Sequence, residues 1–117
     1  MLKNITKYHK LFISIITINN QMKHCIIHYK SVESDSCLNT SLGLKARRAC
    51  GIVEKVLNDE SEVIIMINGS LDDITKHFNQ GDSVTLYGCY LGMCLMNAYN
   101  LLSNKGVTVE YHSEGCI

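Results

Sequence analysis

Six cysteines and five histidines are the side chains of this sequence best suited to nucleophilic, redox or metal chemistry. Of the cysteines, Cys89 stands out: it follows the strand-like run Ser83–Gly88 and precedes an apolar stretch with helical character. Between a strand end and a helix start, backbone N–H groups and the helix dipole favour a thiolate. A thiolate attacks the sulfur of a disulfide or persulfide through a mixed intermediate. Gly88, just before it, would allow close backbone approach. The competing interpretation is an ordinary buried thiol, since free cysteine is among the most buried residue types. Position alone leaves both open. Cys94 lies five residues on, ~140° around a helix, and reads as core rather than as a resolving partner. Cys25 and Cys50 fall inside a strand and a helix, where packing is the simpler role. Cys37 precedes a helix and has no partner thiol at a telling distance. Cys116 is read as lying near a flexible end.

Metal chemistry finds no matching pattern. Neither CxxC nor HExxH occurs, and His24 and His28 would be roughly 13 Å apart along a strand, too far to share one ion. No cofactor is implied: there is no GxGxxG, no P-loop and no serine in a nucleophile-elbow pattern.

The elements that must position these residues alternate in type. His24–Tyr29 (HCIIHY) is a short strand-forming run, followed by a polar stretch, Lys30–Ser36. From Leu38 to Leu57 the apolar positions Leu38, Leu42, Ala46, Ala49, Val53 and Val56 recur every three or four residues, an amphipathic helix. Glu62–Ile67 (EVIIMI) is nearly all apolar, as in a parallel strand covered on both faces. Asn68-Gly69 turns the chain, and Ser70-Leu71-Asp72-Asp73 resembles a capping box, so a short helix is expected over Leu71–Phe78. Ser83–Gly88 is a third strand. Tyr90–Leu102 is a third helix, apolar nearly all round and stopped at Asn104-Lys105-Gly106. Val107–His112 is a fourth strand. The order β-α-β-α-β-α-β predicts an α/β fold of three layers, α/β/α, on a mainly parallel sheet of four to five strands with right-handed crossovers.

Ligands of open parallel sheets bind beyond the carboxyl ends of the strands. Those ends are expected at His28, Tyr29 and Lys30, at Asn68 and Gly69, at Gly88 and Cys89, and at His112 and Ser113.

Bulk properties narrow the classes. At 117 residues the chain suits one domain. Eleven basic residues balance eleven acidic ones, and the densest basic cluster, Lys45, Arg47 and Arg48, reads as a solvated helix face, so nucleic acid is not an expected partner. Regular elements and the absence of a cleavage site argue for reduced thiols in the cytoplasm. The apolar run Leu11–Ile18 is too short to span a bilayer, so no membrane association is expected. Residues 1–21 are set apart as an N-terminal extension, disordered or a start-site artefact, ahead of a single domain over residues 22–117.

The segments HCIIHY, VIIMING, VTLYGCYLGM and GVTVEYHSEG, in this order and spacing, resemble the DsrE-like family over approximately Met22–Gly115. The resemblance implies a DsrE-like sheet assembled as a dimer, trimer or hexamer. It implies further that Cys89 matches the cysteine that carries sulfur as a persulfide in sulfur-transferring members. Cys89 would take sulfane sulfur from a donor protein or small thiol and hand it to an acceptor thiol. His28, Asn68, Gly69 and Gly88, singled out by their strand-end position, would bind or orient the exchange. The sequence departs from many relatives after the cysteine, where Tyr90-Leu91-Gly92-Met93 replaces a more polar stretch. Two further readings remain: a non-catalytic oligomeric module that binds a ligand or partner at the same rim, and an accessory subunit docking through the apolar third helix.

Overall fold

Four runs of β-branched and apolar residues pair into one sheet in the computed structural model, which describes residues 22–117. The expected extension over residues 1–21 lies outside the described residues. The strands are β1 (Met22–Ile27), β2 (Val63–Ile67), β3 (Ser83–Gly88) and β4 (Thr108–Cys116). Their order is β2-β1-β3-β4, and each neighbouring pair is parallel. Between them run helices α1 (Tyr29–Asp35) and α2 (Ser41–Leu57), a short 3-10 helix (Ile74–His77) and α3 (Cys94–Lys105).

The period-two alternation of the strands sends their side chains to two apolar layers. Cys25 and Ile27 of β1, with Val84 and Leu86 of β3, pack against Leu95, Ala98 and Leu102 of α3 and against Ile74 and Phe78. Ile26 and Tyr87 point the other way, to Val32 of α1 and Ala46, Ala49 and Val53 of α2. Helices therefore cover both faces, and the fold is the three-layer α/β arrangement expected.

Several boundaries differ from expectation, each for a local reason. The polar stretch Lys30–Ser36 is mostly helix: α1 is held by burial of only Tyr29 and Val32, too few apolar residues to register as a period. α2 begins at Ser41, not Leu38, because Thr40 is its N-cap, its side chain accepting the Gly43 N–H at 3.2 Å. Leu38 and Leu42 are consequently exposed rather than core. Among the described residues β2 is an edge strand, with Met66 42% exposed, not a strand covered on both faces. The expected helix Leu71–Phe78 contracts to the 3-10 helix, since Ser70 Oγ accepts the Asp72 N–H in a local turn and not as the cap of a longer helix. α3 starts four residues later than expected and ends as expected, with Gly106 left-handed (φ 96°) at its C-cap. β4 runs on to Cys116, so His112 and Ser113 lie within it and not at its end.

Candidate functional site

Strand order reverses direction between β1 and β3: the chain leaves β1 to cover one face with α1 and α2, and leaves β3 to cover the other with α3. Doubly wound sheets bind ligands in the crevice at that switch, outside the carboxyl ends of the strands. Here the two ends are Ile27-His28 and Gly88-Cys89.

His28 is the junction. It takes a left-handed conformation (φ 55°, ψ 46°) that turns the chain from β1 directly into α1. Its backbone N–H donates to the Ile67 carbonyl at 2.7 Å, and its carbonyl accepts the Ser31 N–H at 3.0 Å. Its Nε2 lies 2.8 Å from the Gly69 carbonyl oxygen. Gly88 (φ 115°) lets β3 close on β1: a Cβ there would stand 1.9 Å from the Ile27 carbonyl oxygen. The Cys89 N–H then donates to that same oxygen at 3.1 Å. Cys89 Sγ donates to the His28 carbonyl at 3.5 Å. His28, Gly69, Gly88 and Cys89 thus meet at one rim, whereas Asn68 is exposed and makes no side-chain hydrogen bond among the described residues. Tyr29, expected at the strand end, is a buried core residue of α1.

The electrostatics of Cys89 differ from those of a helix-start thiolate. α3 begins only at Cys94, so its dipole does not reach the sulfur. Cys89 has no solvent exposure, and burial, reinforced by the negative charge of Asp35, pushes its thiol up to about 11. Neighbouring Ser31 and Tyr90 pull the other way without reversing this. The Tyr90 hydroxyl is itself committed, donating to Asp35 Oδ2 at 2.6 Å and tying the segment after β3 to the end of α1.

Cys25 and Cys116 are likewise buried, each thiol pushed up to about 12 mainly by burial. Cys116 is not near a loose end: it pairs with Gly88 and its Sγ donates to the Leu86 carbonyl at 3.4 Å. A thiol whose folded pKa exceeds its ordinary value of 9.0 favours folding fully below pH 9, and that contribution is lost as pH rises through the folded pKa. Urea midpoints are therefore expected to fall progressively from pH 9 toward 12. A midpoint constant across that window would show that these thiols are solvated in the native protein.

Beside the crevice, at the end of β4, a groove of about 290 Å³ is lined by Leu42, Lys45, Arg48, Leu91, Ser113, Glu114, Cys116 and Ile117. The basic cluster of α2 divides over it. Arg47 turns away, donating to the Ser36 and Leu38 carbonyls at 2.9 and 3.0 Å. Lys45 and Arg48 line the groove and form no ion pair among the described residues. Sequence reasoning passed over both, treating all three cations as a solvated face. Their three-residue spacing with Leu42 on one helix was the signal available. Among the described residues no cluster of three or more His, Cys, Asp or Glu is placed to hold a metal ion, and no helix is long and apolar enough to cross a membrane.

Comparison with protein-family models, with curated proteins and with solved structures finds no match.

Proposed function

We propose that the chain is a non-catalytic ligand-binding module with a DsrE-like fold, working as a homo-oligomer in the reducing cytoplasm and using the carboxyl rim of its sheet as the binding face. The observation that carries this reading is the contrast at that rim. The groove beside the crevice is open and lined by two cations that form no ion pair among the described residues, while the sulfur in the crevice is fully buried and protonated at neutral pH. Binding needs the first property, and covalent relay needs the opposite of the second. The six unbonded cysteines support a reducing compartment. Exposed Leu91, Met96 and Tyr111 lining a second, apolar groove of about 220 Å³ support self-association. Titrating the isotope-labelled full chain with small metabolites is expected to shift the backbone amides of residues 88–92 and 113–117 first. Shifts confined to other parts of the sheet would overturn the assignment.

A second reading is favoured by one observation, the position of Cys89 at the β1–β3 switch. In a persulfide carrier the Cys89 thiolate would attack a sulfane sulfur, forming an S–S bond and releasing the donor as its thiolate. An acceptor thiolate would then take the outer sulfur and restore Cys89. Intact-mass analysis decides between the readings, in a Cys37→Ser background that removes the exposed thiol. The binding-module reading expects no adduct after incubation with polysulfide. A reductant-reversible gain of ~32 Da, one sulfur atom, that disappears with Cys89→Ser would make the relay the function instead.

A further inference from the structure

We infer that two copies of this chain associate along the outer side of β4, antiparallel about a two-fold axis through Tyr111, so that their sheets join into one. The inference rests on the homo-oligomer part of the reading above and names the surface that carries it.

The strand itself is the first reason. Among the described residues β4 pairs with β3 alone, which leaves the backbone N–H and C=O groups of its other side without a strand partner. Such edges recruit another strand, and proteins guard them with proline, lysine, bulges or a very short strand. β4 holds neither proline nor lysine and runs nine residues. Its irregularity lies beyond Tyr111, where the Glu114 and Gly115 N–H groups donate to His112 Nδ1 at 3.2 and 3.0 Å. The other edge, β2, exposes one large apolar side chain, Met66.

Charge selects the register. Glu110 pairs with Thr85 and His112 stacks on Tyr87, so both lie on the α2 face, whereas Tyr111 points to the α3 face. Two residues apart on one strand, Glu110 and His112 stand about 7 Å from each other, and they form no ion pair among the described residues. An antiparallel two-fold at Tyr111 sets each Glu110 opposite the second copy's His112, where Cβ atoms approach to about 4.5–5.5 Å. His112 Nδ1 already accepts two N–H groups, so Nε2 carries the ring proton that a carboxylate can accept. An axis at Glu110 would put the two Glu110 carboxylates face to face. An axis at His112 would force the pairing through the irregular segment, and one at Val109 would push His112 past the strand start at Thr108.

The apolar surface agrees with that register. On the α3 face the same axis brings the two Tyr111 rings together, a favourable aromatic pair across strands. Leu91 and Met96 line the groove beside Tyr111, and all three are exposed. With the two α3 helices flanking the seam, these side chains are covered. This accounts for a helix that buries Leu95, Ala98 and Leu102 in its own core and still shows Met96 on the side of Tyr111.

Sedimentation equilibrium of the full chain is expected to show a dimer in the micromolar range. Tyr111→Arg sets two cations on the axis and is expected to weaken it at least about tenfold, with an unchanged circular dichroism spectrum. Glu110→Lys, which faces His112 with a cation, is expected to weaken it several-fold. Cross-linking reads the register independently of these variants. In a Cys37→Ser background, which removes the exposed thiol, Tyr111→Cys is expected to give a disulfide-linked dimer with diamide, and Met66→Cys none. A dimer unmoved by Tyr111→Arg, or one linked through Met66→Cys and not through Tyr111→Cys, would overturn this interface and leave the homo-oligomer standing. A monomer at every concentration would remove both, and the amide shifts that test the rim are unaffected by either result.

Discussion

Gly88→Ala is expected to remove a large part of the protein's stability. A side chain at φ 115° lies in a region that L-residues avoid, and the added Cβ would stand 1.9 Å from the Ile27 carbonyl oxygen and 2.8 Å from its carbon. Both neighbours are backbone in the central strand, held on its two sides by β2 and β3, so no rotamer change relieves the contact. β1 and β3 would have to separate by more than an ångström, breaking the Cys89 N–H to Ile27 carbonyl bond that closes the crevice. Conformational strain alone costs about 1–3 kcal/mol. With the sheet displacement added, a loss of about 4 kcal/mol or more is expected, against a total stability of about 5–15 kcal/mol for an ordinary domain. Urea unfolding of the soluble fraction checks it. Gly51→Ala is the internal comparison: nothing lies within 4 Å of its Cβ position in α2, and it should gain about 0.5–1 kcal/mol through helix propensity. A Gly88→Ala protein with an unchanged midpoint would mean that the β1–β3 junction is not built as described.

Asp82→Ala is expected to be the next most damaging change, at about 3 kcal/mol. Asp82 is fully buried at the entrance to β3. Its Oδ2 lies 2.9 Å from Lys23 Nζ and accepts the Asn79 N–H at 2.8 Å. Removing one member of a buried pair typically costs about 3–5 kcal/mol, because the other charge stays behind without its partner. The Lys23 side chain is 13% exposed, which gives water some access and sets the expectation at the lower end. Lys23 also donates to the His77 carbonyl and sits over the Phe78 ring, 5.4 Å from its centroid, so its stem stays packed in the variant. Asp82→Asn keeps an oxygen to cap Asn79 and should lie between wild type and alanine. Equal midpoints for wild type and Asp82→Ala would show that the pair adds nothing to stability.

The pattern of elements was legible in the sequence wherever periodicity and punctuation agreed. SVTLYG is β3 to the residue, and Asn104-Lys105-Gly106 stops α3 where a glycine takes the left-handed turn without strain. Misreadings fall where one local signal had two meanings. VIIMI has the composition of a covered strand and is an edge among the described strands, because strand order depends on contacts remote in sequence. Ser70 and Asp73 fit a capping box, and a local turn in which Ser70 Oγ accepts the Asp72 N–H takes the place of the longer helix. The rim residues His28, Gly69, Gly88 and Cys89 could be placed together from strand ends alone. The protonation state of Cys89 was not legible, since it follows from burial by α1 and α2 and from a helix start that lies five residues away, out of reach of the sulfur. Lys45 and Arg48 were hidden by their neighbour Arg47: adjacent cations read as one patch, and only the packing of α2 against the end of β4 separates the two that line the groove from the one that braces a turn.

An all-parallel sheet with β1 in its interior also dictates when the protein can begin to fold on the ribosome. The first described strand to be synthesised needs partners on both sides, Val63–Ile67 on one and Ser83–Gly88 on the other, and no hairpin shortens either wait. Until Gly88 has left the exit tunnel, the apolar run Cys25-Ile26-Ile27 has no second neighbour to cover it. Every pairing closes a long loop, so assembly is expected to be slow for a chain of this length. The nascent chain is thus exposed to chaperones, and to other copies of itself, for most of its synthesis.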